Sequence, residues 1–443
     1  MLNKKRIVNI IIGPLLLVVC MLCLPETIFG GIESRSAIGT VAWMAFWWIT
    51  SPVDYAVTAF LPIAANAFLQ MVDMKLIIAN YASETILLLL GASILTASWE
   101  KTGLDRRIAI TFLNLIGNNL KKQVIFWFLL SACLSAVLPN AVVCATITPI
   151  AVSMLNYIGE KDVKNSVIAS KILLTIVYAA GVGGLATPLG GAMNLVVVDY
   201  LQQLTNQEYM YTEWVIKFFP VMLVLIIVNL VFVTRDINKS ENLMKSKEYI
   251  QNEAKAMKKM SLVEKCSLVL FLVATLLSFT RQIYQDIFPM LKPAYVFIVA
   301  AILSFLITDK EGNRLLVWKS VQSKIIWEMI YVFAGGLAAG TLINESGAAV
   351  QIGEYVSRLG LKGGFFTIFV IILLTLLLSD VTSNTATAAV TIPIVISIIQ
   401  GINKSPIPYI YVASIGINLS YMLPTSIRAI PVGYGLQPKY MLK

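Results

Sequence analysis

LLLSDVTSNTATAAVTIPIVI, residues 376–396, is an apolar run of spanning length interrupted in its middle by Ser379, Thr382, Ser383, Asn384 and Thr385. About 20 apolar residues cross a bilayer as a helix. Polar groups at that depth are costly unless they face protein or a watery cavity. The interruption therefore reads as functional. The same design occurs earlier in CLSAVLPNAVVCATITPIAV, residues 133–152, with Ser135, Pro139 and Asn140. A shift of 244 residues carries Leu134-Ser135 onto Leu378-Ser379, Asn140 onto Asn384, Pro149-Ile150 onto Pro393-Ile394 and Ser153 onto Ser397. With no gap it also carries Glu84 onto Glu328, Gly91 onto Gly335 and Gly103 onto Gly347. Apolar sequence matches itself easily through Leu and Ile, but coincident Glu, Gly, Asn and Pro do not arise that way. The chain holds two copies of one unit.

Composition agrees with a membrane setting. Of 443 residues, 58% are hydrophobic and 13% charged, and the mean hydropathy is +0.80. Soluble domains are nearer half apolar and a quarter charged, and their cores stop growing beyond roughly 250–300 residues. The expected class is an all-α polytopic membrane protein. There is no histidine, which removes imidazole metal ligands, histidine bases and histidine triads. The net charge of +10 fits basic cytoplasmic loops rather than a nucleic-acid partner. Cys20, Cys23, Cys133, Cys144 and Cys266 lie in or beside apolar runs and read as small buried hydrophobes, not a redox or metal set. The start, MLNKKRIVNIIIGPLLLVVCMLCL, has a basic flank, an apolar stretch and no small-x-small cleavage site. It reads as a retained helix with a cytoplasmic N-terminus.

The polar stretch 235–265, with Lys239, Lys245, Lys247, Lys255, Lys258 and Lys259, reads as a basic cytoplasmic connector. It separates scaffold helices in 1–83 and a first repeat in 84–234 from scaffold helices in 266–327 and a second repeat in 328–443. The first repeat is flanked by Lys101, Arg106, Arg107, Lys121 and Lys122, the second by Arg358 and Lys362, with Lys319 and Lys324 just before it. This charge contrast is what inverted repeats produce.

Each copy presents three elements in the same order. ETILLLLGASILTASWEKTGL (84–104) and EMIYVFAGGLAAGTLINESGA (328–348) read as re-entrant helical hairpins, the alternative being plain spanning helices with a glycine packing face. The polar interruptions come next and are expected as broken helices. Unwinding there exposes carbonyls and hydroxyls, hard ligands for a small cation, and the helix restarted after each Asn offers N–H groups and a positive dipole end to an anion. Ser and Thr bonding back to their own helix accounts for one hydroxyl but poorly for Ser-Asn-Thr with a duplicated Asn. The third pair is GVGGLATPLGGAMN (181–194), with Thr187 before Pro188, and SYMLPTSIRAIPVGYG (420–435), with Thr425 after Pro424, now at a shift of 238. Arg428 is a membrane charge and so a functional candidate. It suits a carboxylate partner or the place of a bound cation, or else it pairs with Asp380 or lies near the membrane surface.

The order of these motifs resembles the divalent anion/sodium symporter family, the INDY-type carriers of di- and tricarboxylates, over roughly residues 84–428. The resemblance implies inverted repeats, an elevator-type transport domain moving against a scaffold, a homodimer in the inner membrane, and anion binding between two Ser-Asn-Thr motifs with a sodium site beside each. Carried onto matching positions, it implies Asn140, Thr187, Ser383, Asn384, Thr385 and Thr425 for substrate, to which Arg428 is added on the strength of its charge and not of the resemblance. For sodium it implies Ser135, Pro139, Asn140, Ala186, Ser379, Thr382, Asn384 and Pro424. Sodium is the expected coupling ion, with no other cofactor, and lipid is the surrounding partner.

Three departures stand out. The first motif is Pro139-Asn140-Ala141 where Ser-Asn-Thr is usual, and Thr425-Ser-Ile-Arg428 replaces Thr-Pro-Pro-Asn. After Thr187 comes Glu208-Tyr209-Met210 and then a full apolar helix from Val215, whereas Lys439-Tyr440-Met441 lies at the end of the sequence, so the second copy is expected to lack a final helix. The expected function is secondary transport of C4-dicarboxylates such as succinate, malate or fumarate by sodium symport. The alternatives are sodium-independent exchange, favoured by a fixed Arg428, and sulfate or tricarboxylate transport. An enzyme is the weakest reading, for no G-x-S-x-G or catalytic acidic pair lies in a span.

Overall fold

The computed structural model describes residues 4–116, 119–235, 237, 244–358 and 363–442. Lys239 and Lys362 lie outside them. Among the described residues the chain is helical, with an isolated antiparallel bridge between Thr308 and Arg314. Its helices of ten residues or more are α1 (Lys4–Cys23), α2 (Ile32–Thr50), α3 (Glu84–Thr102), α4 (Leu104–Leu113), α5 (Leu120–Ser135), α6 (Asn140–Tyr157), α7 (Val167–Gly184), α8 (Ala192–Thr205) and α9 (Tyr211–Thr234). They continue with α10 (Met244–Ala256), α11 (Leu262–Phe279), α12 (Pro293–Leu306), α13 (Trp327–Glu345), α14 (Ala348–Arg358), α15 (Phe365–Val381), α16 (Asn384–Gly401) and α17 (Ile407–Asn418). Among the described residues, seven helical stretches are long and apolar enough to cross a membrane. α9 carries its apolar side chains outward, with Ile216, Val224, Ile227, Val231 and Phe232 exposed, as a lipid-facing helix does. All five cysteines are free thiols. Cys144 is buried, but Cys23 and Cys133 are exposed rather than buried as the sequence suggested.

Local chemistry sets the helix starts. Asn119 accepts from Lys122 N at 2.8 Å to cap α5, and Ser166 accepts from Ala169 N at 3.0 Å to cap α7. Ser261 and Glu264 form a reciprocal capping box on α11.

The chain divides into two compact units, each discontinuous. One comprises Met1–Leu87, Leu195–Gln207 and Ile326–Ser420; the other comprises Leu88–Asn194, Glu208–Ile325 and Tyr421–Lys443. The first unit contains α15–α17, the second α5–α7.

In the second unit, α5 and α7 lie side by side and parallel. A Cβ on Gly183 would fall 2.2 Å from the Ala132 carbonyl oxygen, and Thr187 donates to the Ala136 carbonyl, again 51 residues away. The start of α7 therefore lies level with the start of α5. Had α6 continued α5 in a straight line, its far end would stand about 50 Å away. The residues between Tyr157 and Val167 reach only about 34 Å. α6 must double back, so α5 and α6 are the arms of a helical hairpin with its tip at residues 136–139. In the first unit the same conclusion follows directly. Lys404, just past α16, and Tyr409 both lie against Gly363 at the start of α15, while Ser379 near the end of α15 meets Ile417 near the end of α17. α15 and α16 form the second hairpin, with its tip at residues 382–383.

This corrects two expectations. The polar interruptions are hairpin tips, not breaks in straight helices. The segments 84–104 and 328–348 are not hairpins: α3 and α13 are unbroken through Gly91 and Gly335. Those glycines serve close packing, since a Cβ would fall 2.8 Å from the Phe297 backbone in one case and 2.5 Å from the Ala59 carbonyl in the other. The chain turns later, at Gly103 (φ +74°) and Gly347 (φ +78°), left-handed positions that favour glycine. The helices that follow have 10 and 11 residues, about half of what the hydrocarbon core requires. Their mix of charged and apolar residues suits a membrane surface.

Gly183→Val tests the α5–α7 contact. The added methyl groups would meet backbone that cannot yield, at a cost of about 1–3 kcal/mol. A thermal melt of purified protein should show a midpoint lowered by several degrees.

Candidate functional site

Both tips restart the helix at asparagine: Asn140 is the first residue of α6 and Asn384 the first of α16. The first four N–H groups of a helix lack intrahelical partners, so each tip presents N–H donors and the positive end of a helix dipole. The two tips are finished differently. Ser383 caps α16, accepting from Ala386 N at 3.1 Å, whereas Pro139 offers α6 no side-chain cap. Asn140 and Thr385 are both half-buried.

In the first unit, Ser379, Thr382, Asn384 and Ser420 are all buried. Asn384 Oδ1 lies 3.0 Å from Ser379 Oγ and 3.1 Å from Ser420 Oγ. Ser379 Oγ also stands 2.6 Å from the Ile417 carbonyl oxygen. The Ser379 hydroxyl can be shared between the two acceptors, and the oxygens of Ser379, Asn384 and Ser420 form a cluster of the kind hard cations collect. With the Asn384 amide turned over, its NH2 would donate to both hydroxyls instead. Thr382, also buried at this tip, shares a 2.7 Å hydrogen bond with Thr387.

The second unit builds its counterpart from residues 135–194. Ser135, fully buried, donates to the Ala180 carbonyl at 2.6 Å, as Ser379 does to Ile417. Thr187 donates to the Ala136 carbonyl at 2.6 Å. Asn194 donates to the carbonyls of Gly184 at 2.7 Å and Thr187 at 3.0 Å. The glycines of this loop answer to contact: a Cβ on Gly190 would fall 2.3 Å from the Gly184 carbonyl oxygen and 2.6 Å from that of Ser135. Ala186 is buried beside them and Pro139 is half-buried at the tip.

Thr425 and Arg428 belong to this unit as well. Residues 426–428 form a 3-10 turn that packs against α6 and α7, with Ile427 3.8 Å from the Cβ position of Gly181. Arg428, 2% exposed, donates through Nη2 to Thr425 Oγ1 at 2.7 Å and through Nε to the Leu423 carbonyl at 2.5 Å. Pro424 lies half-buried in the same loop. Asp380, which the sequence offered as a partner for Arg428, is a buried residue of the other unit. Thus the structure gathers Ser379, Thr382, Ser383, Asn384 and Thr385 around one tip, and places Ser135, Pro139, Asn140, Ala186, Thr187, Pro424, Thr425 and Arg428 in the unit of the other.

Two residues escaped the sequence reading, Asn194 and Ser420. Each stands at the end of a quoted motif, where a polar side chain among apolar neighbours was the available signal.

Residues 45–416 match the citrate transporter family. The chain belongs to the citrate transporter family. It is a membrane transporter and not an enzyme. Within curated proteins it is 26% identical to the sodium-dependent dicarboxylate transporter SdcS of Staphylococcus saprophyticus over 449 aligned positions, which cover 98% of this chain and 86% of that one. The SdcS proteins of two Staphylococcus aureus strains are 27% identical over 449 and 450 positions, with the same coverage. The likeness to divalent anion/sodium symporters holds through this membership.

Ser383→Ala removes the cap of α16 and should cost about 0.5–2 kcal/mol. Thermal melting of purified protein reads this directly, and Ser383→Gly should lose less.

Proposed function

We propose that this citrate transporter family member carries C4-dicarboxylates such as succinate, malate or fumarate into the cell by sodium symport. The observation that carries the reading is the duplicated hairpin tip with an Asn at the first position of a helix. The names of its relatives, sodium-dependent dicarboxylate transporters, support the same chemistry. Asn140 and Asn384, with the N–H groups behind them, each meet a carboxylate. Thr187 and Thr425 supply hydroxyls at the same positions of the two copies, and Ser383 and Thr385 enlarge the second half-site. Sodium is cargo, held in the first unit by oxygens of Ser379, Thr382 and Asn384, and in the second by those of Ser135, Pro139, Asn140 and Ala186, with Pro424 also in the second unit. Hydroxyls, amides and carbonyls hold sodium without fixing it permanently, which a carried ion requires.

The same reading includes inverted repeats, an elevator-type motion of hairpin-bearing segments against scaffold helices in 1–83 and 266–327, a homodimer, and residence in the inner membrane. The domains are then the repeats 84–234 and 328–443, joined by the basic connector 235–265. The basic flanks of the first repeat and the apolar outer faces of α1, α9 and α11 support this arrangement.

A second reading is favoured by one observation, the buried guanidinium of Arg428 on Thr425. A permanent positive charge there replaces sodium's and makes the carrier an exchanger of anions, with sulfate or tricarboxylates as further candidate cargo.

Proteoliposomes decide between them. Symport predicts succinate uptake driven by an inward sodium gradient with empty vesicles; exchange predicts uptake that ignores sodium and needs anion inside. Asn384→Ala should lower uptake about tenfold or more, the effect of losing one hydrogen bond to a charged group. Unchanged uptake in that variant would remove Asn384 from the site.

A further inference from the structure

α4 opens Leu104-Asp105-Arg106-Arg107, and its three charges reach three different elements. Asp105, 8% exposed, accepts from Arg106 N at 2.7 Å and from Thr146 Oγ1 at 2.9 Å. Thr146 lies on α6, about 9 Å along the helix from Asn140. Arg106 pairs with Glu253 of α10 at 2.7 Å, and Arg107 with Glu264 of α11 at 2.8 Å. Glu264 is itself held by Ser261 through the capping box. α10 also grips the base of the first hairpin: Gln123 donates to Ser246, and the Tyr249 ring lies 5.3 Å from that of Tyr157.

None of this is repeated in the second copy. The shift of 244 residues puts Ala349, Val350 and Gln351 at the places of Asp105, Arg106 and Arg107, and Val390 at that of Thr146. The second tip is fixed locally, by the Ser383 cap and the Thr382–Thr387 bond. The first tip has Pro139 and Ala141 in place of capping and bonding side chains, so its direction has to be set from further down the arm.

We propose that Asp105 is a positioning residue for the Asn140 half-site, a role that rests on the reading of Asn140 as an anion ligand. By holding Thr146 to a helix that Arg106 and Arg107 anchor on α10 and α11, it fixes the line of α6 and so the direction in which the N-terminus of α6 points. The polar junction replaces at a distance what the second copy does at its tip.

The test compares Asp105→Ala, Thr146→Val, the double variant and Asp105→Asn in the full-length protein. Two readouts are used: hydrogen exchange over residues 136–148, and succinate uptake in proteoliposomes. Both single variants should speed exchange there and raise the KM for succinate about tenfold, with the maximal rate within a factor of about two. The double variant should equal Asp105→Ala, because Thr146→Val removes a bond that Asp105→Ala already lacks. Asp105→Asn should behave as the parent, its amide oxygen still accepting from Thr146. Additive effects in the double variant, unaltered exchange, or an Asn variant as defective as Ala would overturn the proposal. Should the parent protein carry no succinate while exchange follows the expected pattern, the transport reading fails and the positioning of α6 stands.

Discussion

A peptide group freed from a helix cannot be left in hydrocarbon, since water is absent and each orphaned carbonyl or N–H is costly. The two hairpin tips create such groups at the end of a membrane helix, and the surrounding structure is arranged to satisfy them. Thr187 serves the Ala136 carbonyl, Asn194 those of Gly184 and Thr187, Ser135 that of Ala180 and Ser379 that of Ile417. Several residues that look like ligands in the sequence are therefore first of all surrogates for missing helical hydrogen bonds. On the proposed reading, binding falls to what this leaves over: the helix N-termini and the oxygen cluster around Asn384.

The same constraint explains how far the sequence could be read. Coincident Asn, Pro and Glu at a fixed shift exposed the duplication, because polar residues within apolar runs have few reasons to recur. The residues that gather at the second tip, from Ser379 to Thr385, were legible for that reason. The path of the backbone was not. A break in a straight helix and the tip of a hairpin present the same polar cluster, and only the parallel packing of α5 on α7 distinguishes them. Gly91 and Gly335 misled in the opposite direction, looking like turn residues where the demand is for close approach. The real turns, Gly103 and Gly347, stood at the ends of the same segments.

The copies have diverged in how they spend polar side chains. The second concentrates hydroxyls at its tip, with Ser383, Thr385 and Thr387 inside little more than one helical turn. The first has an apolar tip, a glycine-rich loop closed by Asn194 and a charged junction at the foot of α4. Arg428 adds to this asymmetry, bringing a buried positive charge from the end of the second copy into the unit that holds the first. Duplication thus supplied two equivalent backbones, and substitution made one self-supporting and the other dependent on its surroundings.

The constant spacing between α5 and α7 has a bearing on how the protein is made. The Ala136 carbonyl waits for a hydroxyl 51 residues downstream, a length of chain that a ribosome takes several seconds to deliver at about 5–20 residues per second. Until Thr187 emerges, the Ala136 carbonyl lacks the hydroxyl that satisfies it in the finished fold. A carbonyl left without a partner in hydrocarbon is costly, so the first tip is completed only once α6 and α7 have been synthesised.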